Sequence, residues 1–310
     1  MGTRAKDLNI RFLTAICAAM ITSAMTPATA SNSSACNPPP DRAVCLKGSA
    51  GCVVVDLLGG RIASWKTSDG KEMFFMPERY ITPNGDWSHG GIGVCWPWFG
   101  KKGADPSSIH GFAKNRLFAL RRRETLENGE TATLGLTTRE GEIAEFPYDA
   151  DLELKVTVTD KLALKLSTVN KGKVSFELSN GFQPYFAVGS YSTSTLSGVK
   201  DAPFKAVDGM DAAFPRIGDA FSLVDTSLGR TISCIAKGNT GLVVWSPGNV
   251  EPHNRNLAAG DTERFIGVGP SNRTKEGAIV LAPGASHELV FEMQPTPTLK
   301  LPTTNQPTTN

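Results

Sequence analysis

Large apolar residues alternate with other residues through the middle of the chain. They occupy every second position from Leu152 to Val158, and the same alternation runs from Leu162 to Leu166 after a turn at Asp160. A period of two places one side of each segment in a core and the other toward solvent. The pattern therefore predicts a β-hairpin with one buried face.

Similar short apolar runs occupy most of the remaining chain, separated by residues that favour turns. Further strands are predicted at 131–138, 174–179, 230–235, 242–245, 278–282 and 288–293. Turns are expected at Asn128-Gly129, at 170–172, at 237–239 and at Pro283-Gly284,. We find no window with the apolar period of an amphipathic helix of three turns. Many short strands with frequent turns predict an all-β, single-domain sandwich or barrel.

The first thirty residues have the three parts of a secretory signal peptide. A basic beginning up to Arg11 precedes an apolar stretch at 12–25 and the small residues Ala28-Thr29-Ala30,. The apolar stretch is shorter than the ~20 residues of a membrane-spanning helix. Residues 1–30 are therefore predicted to be removed, leaving a secreted or periplasmic protein without a transmembrane segment.

Composition then divides the mature chain into three parts. Residues 31–41 form a flexible leader, and 295–310 form a Pro/Thr-rich tail with too few apolar residues to offset its ordering entropy,. The domain is expected to occupy 42–294. The formal net charge is +2, with both signs interspersed, so no nucleic-acid surface is predicted,.

Five cysteines remain after the predicted cleavage. Cys45 and Cys52 flank a glycine-containing turn and form the preferred disulfide, with Cys36 as the competing partner,. Cys95 and Cys234 lie in apolar strands and are expected to be buried thiols. No Cys/His spacing suggests a zinc site, and no metal or cofactor is predicted.

The least ordinary segment packs aromatic rings among glycines. It reads HGGIGVCWPWFG at 89–100, and HGFAK follows at 110–114. Aromatic faces beside a few polar donors suit a sugar ring, which stacks its C–H face and hydrogen-bonds its hydroxyls. Composition leaves open whether Trp96 and Trp98 line such a cleft or fill the core.

This paired motif resembles the GGIPVCWPWFG and HGFAR signature of hexose-6-phosphate 1-epimerases, a branch of the galactose mutarotase-like superfamily. Weaker similarity continues at 181–186, 197–198 and 243–247. The resemblance implies a single-domain β-supersandwich with a sugar-binding cleft on its concave face. It also implies substrate-binding residues: His89, Trp98, His110, Lys114, Gln183, Tyr185 and Trp245.

The sequence departs from that family where proton transfer takes place. Anomer interconversion needs one group to protonate the ring oxygen and another to take the anomeric proton. The His and Glu that perform these steps in the family are matched here by Gln183 and Gly269, neither of which titrates near neutral pH,. Two arginines of the phosphate site are matched by His89 and Lys114, which lack the bidentate fork of arginine.

Together with the signal peptide, these departures predict an exported protein that binds a monosaccharide, an oligosaccharide or a glycan without the usual acid/base pair. We expect it to be a monomer. Two enzymatic alternatives stay open. The first is an aldose or hexose-phosphate 1-epimerase with relocated groups, such as His110 or His89 with Asp201 or Asp208. The second is another isomerase or lyase activity in the same cleft, because a fold does not fix a function. A structural or adhesive protein that acts through its Pro/Thr tail is a further alternative.

Overall fold

The computed structural model describes residues 42–77, 89–102, 109–248, 257–273 and 278–297. The predicted signal peptide, the leader and residues 298–310 lie outside these ranges. Nineteen strands occur in the described part: β1 (Ala43–Gly48), β2 (Gly51–Asp56), β3 (Arg61–Lys66), β4 (Ile92–Cys95), β5 (Ala119–Leu126), β6 (Gly129–Thr138), β7 (Ala150–Val158), β8 (Leu162–Asn170), β9 (Phe176–Leu178), β10 (Gly181–Pro184), β11 (Phe186–Ala187), β12 (Ser194–Ser197), β13 (Met210–Pro215), β14 (Ala220–Asp225), β15 (Arg230–Lys237), β16 (Gly241–Ser246), β17 (Phe265–Ser271), β18 (Ile279–Leu281) and β19 (Ser286–Pro297).

The strands form two large antiparallel sheets. The first has the order β1-β2-β3-β4-β10-β17-β16-β13, and β11 also pairs with β17. The second has the order β12-β14-β15-β19-β8-β7-β6-β5, and β9 pairs with β18 in a small separate sheet. Helical structure in the described part is limited to short 3₁₀ turns, such as Ala113–Asn115. The predicted all-β fold class is confirmed.

The predicted central hairpin consists of β7 and β8. Leu154 is paired with Leu166, and buried residues alternate with partly exposed ones along both strands. The buried side chains belong to one large core cluster that also contains Trp65 and Val244 of the first sheet. Full burial of a Leu or Val side chain stabilises the fold by roughly 1.5–3 kcal/mol. The core therefore holds the two sheets face to face.

The last strand extends further than the sequence pattern predicts. The domain was expected to end at residue 294, but β19 continues to Pro297, and Pro295 is paired with Ile232 of β15. On its other side, β19 is paired with β8 only as far as the Met293–Leu162 pair. Among the described strands, the extension is therefore paired with β15 alone, and a proline that lacks an N–H is tolerated at such a strand edge,.

The β1–β2 hairpin brings the predicted cysteine pair together. The Sγ atoms of Cys45 and Cys52 lie 2.9 Å apart across the hairpin. Cys95 and Cys234 are buried free thiols, and burial raises the pKa of each. The competing partner, Cys36, lies outside the described residues. No helix in the described ranges is long and apolar enough to cross a membrane.

Candidate functional site

A pocket of about 250 Å³ lies where β4, β10, β17 and β16 are neighbours in the first sheet. Gln183 of β10 and Val243 of β16 both line it, and Val243 is paired with Gly269 of β17. Paired residues of antiparallel strands share a face, so Gly269 lies on the pocket side. The lining residues are His89, Phe99, Ile109, His110, Gln183, Tyr185, Asp211, Val243, Trp245 and Arg273.

Five of the seven predicted substrate-binding residues line this pocket, but Trp98 and Lys114 do not. Trp98 is 7% exposed and belongs to the core, where its ring lies 6.0 Å from that of Phe112. The next residue, Phe99, lines the pocket instead. Lys114 lies behind the lining, and its Nζ donates to the carbonyl oxygen of Ile109.

Three rings form one wall of the pocket. The His89 ring stacks on Trp245 at a centroid distance of 5.5 Å and an interplanar angle of 20°. Tyr185 meets both rings edge-on, at 5.7 Å from His89 and 5.8 Å from Trp245. Trp245 is partly exposed, whereas Tyr185 is fully buried and packs against Phe265. Such a wall offers an aromatic surface to the apolar face of a sugar ring.

His110 is held in a single orientation beside this wall. Its backbone has a φ of +64°, and its Nδ1 accepts a hydrogen bond of 3.1 Å from the N–H of Gly100. Burial, together with the charges of Lys114 and Arg273, lowers the pKa of His110 to about 3. The ring is therefore neutral near pH 7 and carries its proton on Nε2. In this state His110 can donate a hydrogen bond at Nε2, and a ring with so low a pKa is a weak base.

An ion pair at the pocket was not predicted from the sequence. Arg273 Nη1 lies 2.7 Å from Asp211 Oδ1, and its guanidinium lies 5.9 Å from the Phe99 ring centroid. The two partners are 62 residues apart, and neither belongs to a recognisable motif. Only the pairing of the β13 edge strand with β16, and of β16 with β17, brings them together.

A buried amide network fixes the chain just before Arg273. Asn272 and Asn180 are both fully buried, and Asn272 Nδ2 donates to Asn180 Oδ1 at 2.8 Å. Asn272 Oδ1 accepts a 2.9 Å hydrogen bond from the N–H of Thr240. Buried polar groups that are bonded in this way resist displacement. The network therefore supports the position of Arg273 at the end of β17.

Gln183 and Gly269, which the family resemblance matches to the acid/base pair, carry no titratable group, and Gly269 has little room for one. Gln183 Oε1 lies 4.0 Å from Cys95 Sγ, and its amide does not titrate,. A Cβ atom at Gly269 would lie 2.5 Å from both Phe182 O and Pro184 Cδ. Real Cβ atoms essentially never approach this closely, so a glutamate at position 269 would require the β10 backbone to move.

The carboxylates considered in the sequence analysis do not line the pocket. Asp201 and Asp208 are absent from the lining, which contains the carboxylate of Asp211 instead. Within the described ranges, no group of three or more His, Cys, Asp or Glu side chains is arranged to hold a metal ion. Among the described lining residues, the groups that can contact a ligand therefore include aromatic rings, the Gln183 amide and one ion pair.

Comparison with known proteins identifies the family. The family model for aldose 1-epimerase matches residues 42–208, which is more than half of the chain. The chain belongs to the aldose 1-epimerase family. It is 27% identical over 209 residues to a provisionally named glucose-6-phosphate 1-epimerase of Salmonella typhimurium, covering 62% of this chain and 69% of that protein. A relative of the same provisional name from the grass Cenchrus ciliaris is 24% identical, with coverages of 66% and 70%.

Solved structures of family members share the fold. A provisionally named mutarotase of Salmonella typhimurium superposes with a TM-score of 0.72 at 21% identity, covering 79% of this chain and 87% of that one. The aldose epimerase homologue of Caenorhabditis elegans superposes with a TM-score of 0.62 at 9% identity, with coverages of 83% and 99%. The mutarotase-like sandwich predicted from the motif is thus confirmed.

Proposed function

We propose that this member of the aldose 1-epimerase family binds a sugar in the pocket and does not interconvert anomers by the usual acid/base pair. One observation carries the proposal: the pocket has an aromatic wall and hydrogen-bonding groups, whereas Gln183 and Gly269, which the family resemblance matches to the proton-transfer positions, carry no titratable group,. Binding needs the wall and the polar groups, and only turnover needs the missing pair.

The size of the pocket supports a small ligand. Its volume of about 250 Å³ is near the lower end of the range for small-molecule sites, roughly 300–1,000 Å³,. A pocket of this size suits one sugar ring, either free or at the end of a longer glycan. The partly exposed Trp245 offers a ring face, while Gln183 offers a hydrogen-bonding amide.

A second candidate function is epimerase activity with a relocated base. It is favoured by the carboxylate of Asp211, which lines the pocket within reach of a bound ligand. One oxygen of that carboxylate is already engaged, because Asp211 Oδ1 lies 2.7 Å from Arg273 Nη1. We therefore place binding ahead of turnover.

We also propose that the protein is exported. The basic, apolar and small-residue parts of residues 1–30 support this proposal, as does the proximity of Cys45 to Cys52, since disulfides persist in oxidising compartments,. Amino-terminal sequencing of protein collected outside the cytoplasm should begin near Ser31. An intact Met1 on protein retained in the cytoplasm would contradict export.

Ligand-detected NMR tests the binding site. Saturation transfer from the protein should be observed to at least one sugar in a panel of glucose, galactose, mannose and glucose-6-phosphate. The Gln183→Ala variant should weaken binding about tenfold, since a ligand hydrogen bond is lost. Gln294→Ala is the matched control, because Gln294 is exposed on β19 and does not line the pocket. Equal affinities in the two variants would remove Gln183 from the site.

A further inference from the structure

Charged side chains lie at the pocket and directly behind it. Arg273 and Asp211 line the pocket and form an ion pair. Lys114, behind Ile109, and Arg273 both act on His110 as positive charges, and Asp211 acts on it as a negative charge. Arg273 thus places a permanent positive charge in the lining of a site for a sugar-sized ligand,.

The guanidinium of Arg273 is held in place with donors to spare. Asp211 accepts from Nη1, the Phe99 ring lies beneath the guanidinium plane, and the Ser271 hydroxyl accepts from the Arg273 backbone N–H. Within the described residues, Nε and Nη2 of Arg273 have no hydrogen-bond partner. A guanidinium fixed in this way loses little rotamer entropy when it binds a ligand.

We propose that the ligand is a sugar acid: one pyranose ring carrying a carboxylate, either free or at the end of an oligosaccharide. This inference rests on the proposed sugar-binding function. A planar carboxylate matches the edge of the Arg273 guanidinium that carries the Nε and Nη2 donors, in a bidentate arrangement.

A sugar phosphate fits the same groups less well. A phosphate monoester carries about −1.5 to −2 charges at pH 7. It would lie close to the carboxylate of Asp211, which repels it, and the pocket does not supply a second arginine among its described lining residues. The preference of the pocket for a sugar carboxylate over a sugar phosphate therefore depends on Asp211 as much as on Arg273.

Isothermal titration calorimetry with purified full-length protein tests the proposal. Galacturonate and glucuronate are compared with galactose, glucose and glucose-6-phosphate. We expect a uronate to bind at least about tenfold more tightly than its neutral counterpart, the ratio expected for one charge-assisted hydrogen bond. Arg273→Gln should remove this ratio, and Arg273→Lys should retain only part of it because the bidentate fork is lost. Asp211→Asn should raise the affinity for glucose-6-phosphate.

Arg216→Gln is the matched control. Arg216 also forms an ion pair with an aspartate, Asp219, but this pair is exposed and lies outside the pocket lining. The control should keep the uronate preference. Equal binding of uronates and neutral sugars would overturn this inference and leave the proposed function intact. Binding of glucose-6-phosphate more tightly than any uronate would have the same two consequences. Failure of every sugar to bind would overturn both.

Discussion

The residues of the pocket differ in how well a single sequence identifies them. His89, Gln183 and Tyr185 were found because they lie in or next to motifs with a family resemblance, and all three line the pocket. Arg273 and Asp211 were missed because no local pattern distinguishes a pocket charge from a surface charge. Their proximity arises from strand pairing across 62 residues, which the sequence pattern alone does not define.

Alanine substitutions at Trp98 and Trp245 should have different effects, the first on the stability of the fold and the second on sugar binding. Trp98→Ala removes a core side chain and should lower the free energy of unfolding by about 3–5 kcal/mol,. Trp245 is partly exposed in the pocket wall, so Trp245→Ala should mainly weaken sugar binding, by about tenfold or more,. Urea unfolding and ligand-detected NMR measure the two effects. A Trp98→Ala protein that is stable but binds sugar more weakly would show that Trp98 belongs to the ligand site, as the sequence analysis predicts.

His110 should make stability depend on pH. Its pKa is about 3 in the folded protein and near 6.5 when unfolded, so the unfolded state binds more protons between these values,. The contribution is fully present above about pH 6.5 and is lost as the pH falls toward 3. Urea unfolding at pH 7.5 and 4.5 should therefore show a larger loss for the wild type than for His110→Asn. Asparagine tolerates the positive φ, and His287 contributes equally to both proteins. Identical losses would contradict the burial of a neutral His110.

At the scale of elements, alternation predicted the hairpins better than it predicted the strand ends. The period of two in β7 and β8 identified both strands, because each buries one face. It did not reveal that β19 continues through Pro295 to Pro297, since these residues contribute pairing to β15 with little burial. Edge pairing leaves no hydrophobic pattern in the sequence.

The close packing of β10 on β17 should make Gly269 intolerant of a side chain. Gly269→Ala places a Cβ 2.5 Å from Phe182 O and Pro184 Cδ, which should cost about 1–3 kcal/mol of stability,. Gly218→Ala is the matched control, because a Cβ there meets nothing within 4 Å and should change stability by less than about 0.5 kcal/mol,. Chemical denaturation of the two variants provides the comparison. Equal stability would show that β10 can move away.

The same packing bears on attempts to restore the family's acid/base pair. Combining Gln183→His with Gly269→Glu supplies both titratable groups, but the glutamate must displace the Pro184 region of β10. We expect the double variant to lose stability and to gain no anomer-exchange activity. A stable double variant with clear activity would show that the two substitutions alone account for the difference from the family pattern.

At the scale of the molecule, the chain has the fold of its family. The two sheets superpose on a Salmonella typhimurium family member with a TM-score of 0.72, and the aromatic wall lies on the pocket side of the first sheet. The long glycine and aromatic motif made the fold predictable through its resemblance to a known family. The ligand was less predictable, since it depends on side chains brought together by topology.

Anomer exchange measured by NMR tests the central claim most directly. Saturation of one anomer resonance of a sugar, in the presence and absence of the protein, reports exchange between anomers, while line broadening in the same spectra reports binding. We predict broadening with at least one sugar and an exchange rate equal to that in buffer. An exchange rate that rises with protein concentration and returns to the buffer value in the Asp211→Asn variant would instead establish an epimerase with a relocated base.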